Sequence, residues 1–176
     1  MNSYEEYEEM LHNVIEFCSL ELGLKTDLDY RLILADQDEM IRRSGKRATG
    51  LWVGRSCEML VINELPESIL AAVLAHEHTH AWQQTHCPPQ TKQLLEGLAS
   101  WVEMKVLEAL GYDRRARQML SRNCLFYGEG LRVVVKMERA LGIRGVLKRV
   151  KKLRDIEDKY EPERPRKREA DGSIIA

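Results

Sequence analysis

Residues 61–82 read VINELPESILAAVLAHEHTHAW. Proline at 66 suits the first turn of a helix, where its missing N–H costs nothing. From there the apolar residues Ile69, Leu70, Val73, Leu74 and Ala81 recur at three- and four-residue spacing, the period of a helix with a buried face. Pro88–Pro89 cannot continue a helix, so this one is expected to stop near Cys87. Its second half carries His76-Glu77-His78-Thr79-His80, an HExxH pattern.

On the N-terminal side, Tyr4, Tyr7, Leu11, Val14, Ile15, Cys18 and Leu22 mark one stripe of a helix ending near Gly23. Asp29–Ala35 is expected to be a strand, followed by a polar stretch with room for a short helix. Thr49–Arg55 and Glu58–Asn63 are two further strands, a hairpin turning at Arg55–Cys57. On the C-terminal side, a helix from about Thr91 to Leu110 is closed by Gly111. A third, capped by Asp113, runs to about Phe126. Tyr127–Gly130 (YGEG) is a glycine-bearing break, and helices over 131–141 and 143–154 meet at Gly142. The expected class is α+β and zincin-like: a small early sheet of about three strands, then a mainly helical part carrying HExxH. Residues 1–155 form the domain, and 156–176, charged and without apolar period, are expected to be a disordered tail.

The chain has 176 residues, 44% of them apolar, enough for one substantial core. Basic and acidic residues number 27 and 28, so net charge favours neither nucleic acid nor membrane as partner. The acidic opening MNSYEEYEEM is unlike a signal peptide, and no apolar run approaches the eighteen or so residues of a membrane helix. Cys18, Cys57, Cys87 and Cys124 form no CxxC pair. They are expected to be free, mostly buried thiols in a cytoplasmic protein.

Residues four apart share a helix face, so His76 and His80 can direct ring nitrogens at one ion. Glu77, about 100° further round, lands beside that ion rather than on it. There its carboxylate can hold a water, which a zinc ion acidifies, and take its proton. The preceding helical run and a candidate edge strand form the setting in which zincins bind peptides by strand addition.

A catalytic zinc needs a third protein ligand and an open fourth position. His86 has the HExxHxxGxxH spacing but lacks the glycine, since Gln83 stands there. Glu96, on the following helix, is favoured, because the Pro88–Pro89 reversal brings that helix back alongside the first. Glu103 is an outer-shell alternative, and Ser100 a candidate to orient a histidine ring. His78 points to the opposite face and is expected to be structural.

The same residues form a larger pattern. VINELPESILAAVLAHEHTHAW, then LLEGLASWVEMKVL, then LFYGEGLRVVVKMERALGIRGVLKRV, resembles the peptidase domain of the DA-one-like family, over about Tyr4–Val150. Members of that family are eukaryotic zinc peptidases that limit organ growth and are activated by ubiquitin. The resemblance implies zinc ligands His76, His80 and Glu96, a catalytic Glu77, and a place for Tyr127 near the site. The Tyr127 hydroxyl is a candidate oxyanion donor, simple packing being the other reading. The family's LIM and ubiquitin-binding modules have no counterpart here, so ubiquitin activation and the eukaryotic substrates are not carried over; a minimal, microbial domain is expected.

The expectation is therefore a metallopeptidase with one catalytic Zn2+, acting on protein or peptide substrates. The alternative is a zinc-stabilised interaction module with weak turnover. A nucleic-acid role for Arg144, Lys148, Arg149, Lys151 and Lys152 is disfavoured, because no aromatics interleave them for stacking.

Overall fold

A computed structural model describes residues 3–155; the segment 156–176, read above as a tail, lies outside the described residues. Among the described residues the architecture is α+β, with six α-helices and one three-stranded mixed sheet. Helix α1 (Tyr4–Phe17) starts on a capping box in which the Ser3 hydroxyl accepts from Glu6 N–H and the Glu6 carboxylate accepts from Ser3 N–H. It buries Tyr7, Leu11 and Val14 and widens into a π-helical turn, Cys18–Leu22, before closing at Gly23.

The sheet contains β1 (Arg31–Ala35), β2 (Gly50–Val53) and β3 (Glu58–Ile62), with helix α2 (Gln37–Ser44) between the first two. Spatial order is β1-β3-β2, β1 parallel and β2 antiparallel to β3. Met59, Leu60 and Val61 are fully buried, as a central strand covered on both faces requires. Leu60 packs with Ala35 and Met40 under α2, whereas Met59 and Val61 join the main core. The central strand is therefore β3, and β1 and β2 are the two edges; β2, the first arm of the hairpin, has one side of its backbone without a strand partner.

The two central helices are α3 (Glu67–His86) and α4 (Lys92–Ala109). Leu70–Ala75 are all buried, so α3 is covered all round rather than amphipathic. The chain reverses at Pro88–Pro89 and α4 returns antiparallel. Gln83 Nε2 donates to Leu95 O at 3.1 Å across the pair. Gln90 Nε2 donates to Val150 O and Leu153 O (2.7 and 2.9 Å), tying this reversal to the C-terminal helix.

Helix α5 spans Asp113–Leu120, six residues short of the expected end, and Asp113 sits in its first turn without a side-chain cap. The chain leaves the helix at Ser121 and re-enters helical geometry in a second π turn, Leu125–Glu129, which leads into α6 (Gly130–Val150). The break has a packing cause. Gly130 lies against Gly97 of α4 so closely that a Cβ on Gly97 would fall 2.6 Å from the Gly130 carbonyl carbon. Only two facing glycines permit that approach. α6 kinks at Gly142 (φ 69°), dividing it where the sequence reading placed a junction, and it ends at Val150 rather than 154. Trp101, fully buried on α4, donates from Nε1 to Glu138 on α6 at 2.8 Å.

The four thiols are free. Only Cys18 is fully buried, with burial pushing its pKa up to about 12; Cys57 and Cys87 are half-buried and Cys124 is exposed, against the expectation of mostly buried thiols. Among the described residues no helix is long and apolar enough to cross a membrane.

Candidate metal centre

Helix α3 presents His76 and His80 one turn apart on a single face, their rings edge to face with centroids at 4.8 Å. Both Nε2 atoms turn to the same oxygen of α4: Glu96 Oε2 lies 3.1 Å from His76 Nε2 and 3.6 Å from His80 Nε2. Donors held about 2.0–2.1 Å from a tetrahedral zinc are separated by roughly 3.3 Å, between the two values here. Two imidazole nitrogens and a carboxylate oxygen, all within 4.8 Å of one another, thus fit a zinc ion in number, type and spacing. They are the one group of three or more such donors found among the described residues.

The far side of each ring is held as well. His76 Nδ1 faces Glu103 Oε2 at 3.5 Å. His80 Nδ1 donates to Gln83 Oε1 at 2.9 Å, while the Gln83 amide is fixed on Leu95 O. These partners can take the ring protons on Nδ1, which would leave the Nε2 lone pairs free for a metal ion. Ser100, expected as a ring-orienting group, is buried with its Oγ unpaired, because Glu103 and Gln83 already occupy both Nδ1 positions.

Electrostatics follow the contacts. Burial works against a charged His76, but Glu103 and Glu96 outweigh it and raise its pKa to about 10. Burial likewise opposes ionised Glu96, yet the two histidines hold it well below the usual carboxylate range. The trio is arranged for positive charge at its centre, and a proton meets that demand in the metal-free chain.

Glu77 lies beside the trio. Its Oε2 accepts from Trp52 N–H of β2 at 2.8 Å, and its carboxylate leaves so little room that a Cβ at Gly50 would sit 2.8 Å from Oε1. Glycine at 50 is what lets the edge strand lie directly on α3. Tyr127 comes from the π turn that Gly97 and Gly130 draw onto α4, and its ring centroid is 6.1 Å from that of His76. Burial, then Glu96 and Glu77, raise its pKa, so the phenol stays protonated. A cleft of about 670 Å3 joins these groups to β2 and to α5.

Of the residues singled out in the sequence, His76, Glu77, His80, Glu96 and Tyr127 come together in this cleft. His86 does not: it stacks on Trp82 at 5.0 Å at the far end of α3. His78 is fully buried on the opposite face, with Nδ1 accepting from Tyr30 OH (3.0 Å) and Nε2 donating to Leu24 O (3.3 Å). Gln83 entered the sequence reading only as a missing glycine. Its position three residues after His80 carried a helical-spacing signal for its ring contact. The role of the Trp52 N–H had no sequence signal at all. In comparisons with known proteins, no family model, no curated protein and no solved structure matches the chain.

Proposed function

We propose that this chain is a zinc-dependent metallopeptidase of zincin-like fold, allied to the DA-one-like peptidase domains its motifs resemble. One observation carries the reading. Two histidine Nε2 atoms and a carboxylate oxygen converge on one point, with a second carboxylate, Glu77, beside them and facing an edge strand.

His76, His80 and Glu96 would hold the ion, whose contribution is Lewis acidity toward water and a carbonyl oxygen. The chain's own groups do the rest. A peptide lies along the free side of β2 and takes its backbone alignment from that edge. Glu77, steadied through Oε2 by Trp52 N–H, has Oε1 left to accept the proton of the attacking water and pass it to the departing amine. Tyr127, protonated and across the cleft, donates to the oxygen that gains negative charge. Glu103 and Gln83 keep both rings in register throughout.

The test is purified chain with one equivalent of zinc on unfolded casein, beside Glu77→Gln. The wild type is expected to cleave, and the variant to bind zinc normally while losing about 10²–10⁴-fold in kcat. Equal cleavage by both would end the peptidase reading. Zinc uptake without cleavage by either would favour an interaction module.

A further inference from the structure

One end of the cleft has a charge pattern that the hydrolytic machinery does not use. α4 runs antiparallel to α3, so Glu96 faces His80 and His76 while Glu103, two turns on, faces only His76. Arg122 follows at 3.8 Å from Glu103, and Arg115 lines the same wall from α5. On the opposite wall Gly50 lies against Val73 and Glu77, so Lys46 and Arg47, just before β2, reach the same end. Ile69, Ala72 and Val73 line the cleft as well.

Four cations therefore border one half of the cleft, and its three carboxylates are already engaged. Glu77 bonds Trp52 N–H, Glu96 the two histidines, and Glu103 His76 and Arg122. Lys46, Arg47 and Arg115 have no carboxylate partner among the described residues. Arg115 is the most telling, because its Nε is buried and makes no hydrogen bond. An unpaired guanidinium N–H costs free energy to bury, and its fork matches a carboxylate.

Resting on the peptidase reading above, we propose that this half of the cleft is an acidic-residue subsite. Substrate Asp or Glu side chains, on the side of the scissile bond toward Ile69 and Ala72, pair with Arg115 and Arg122. Lys46 and Arg47 supply longer-range attraction from the facing wall. Positive groups on both walls suit successive acidic side chains better than one terminal carboxylate, which a single guanidinium would satisfy.

The experiment uses zinc-loaded full chain and quenched fluorescent peptides, acetylated and amidated, with Glu, Gln or Lys at each of three positions on either side of the cleaved bond. Glu is expected to raise kcat/KM about tenfold over Gln on one side only, and Lys to lower it. Arg115→Met should collapse the Glu-to-Gln ratio toward one. Arg115→Glu should reverse the preference toward Lys, an inversion that misfolding cannot produce. Binding of the same peptides to Glu77→Gln, by fluorescence anisotropy, separates the two claims. Tighter Glu-peptide binding that is lost in the Glu77→Gln/Arg115→Met double variant upholds the subsite even if nothing is cleaved. Cleavage with equal rates for Glu and Gln peptides overturns the subsite and leaves the peptidase standing. A preference that moves to a free C-terminal carboxylate also overturns it.

Discussion

His76 and His78 stand two residues apart on one helix, yet the fold gives them opposite jobs. His76 faces two carboxylates, and they raise its pKa to about 10 in spite of burial. His78 faces a phenol and a backbone carbonyl on the packed side of α3, and burial lowers its pKa to about 4, with the Leu24 carbonyl a smaller opposing influence. One ring is set up to be near positive charge; the other is kept neutral inside the core. What differs is the partner that each helix face meets, α4 with its glutamates or the 24–30 segment with none. The chemistry of a histidine here is decided by its neighbours.

The sharpest way to break this contrast is to remove one side chain on each face. Glu96→Gln or His80→Ala should weaken zinc binding on the order of a thousandfold or more, bringing retained metal near zero after dialysis. His78→Gln should keep one zinc per chain by the same elemental measurement. Zinc loss in His78→Gln alone would invert the assignment.

The pH dependence separates the two rings next. Unfolded His78 takes up a proton near pH 6.5 and the folded ring only near 4. Its contribution to stability is thus complete above about 6.5 and is lost as pH falls toward 4, by about 3 kcal/mol, from about 1.4 kcal/mol per unit. Urea midpoints of the metal-free chain should show this decline, and His78→Gln should flatten it. His76 acts in a different window, since its raised pKa makes its contribution complete below about 6.5 and lost toward 10.

The ring-holding partners come third. Gln83→Leu leaves His80 Nδ1 without its acceptor and should cost ten- to a hundredfold in zinc affinity, read by competition with a chromophoric chelator. The smallest effect concerns Tyr127→Phe, which should lower kcat about tenfold with zinc content and KM little changed. An unchanged kcat would reduce Tyr127 to packing.

Much of this arrangement was legible in the residues. The proline at 66 and the pair at 88–89 bound α3, and the HExxH spacing settled which histidines share a face. The hairpin and the junction at Gly142 were equally local matters. Helix α5 was not: its expected extension to Phe126 is cut at Leu120 because Gly130 must reach Gly97, a contact between residues far apart in sequence. Ser100 failed as a ring partner for the same kind of reason, since competing groups on α3 and α4 had already taken both Nδ1 atoms.

The sequence by itself determined the helix that carries the two histidines, the face they share, and the glutamate beside them, because those depend on a local 3.6-residue period. Only the tertiary structure decided that β3 is central and β2 an edge strand lying on α3, that the Trp52 N–H steadies Glu77, and that four cations line the same cleft. Those relations join separate elements, and their distances are set by how Gly50 lets β2 settle on the Val73 and Glu77 side chains and how Gly97 and Gly130 let two backbones close on one another.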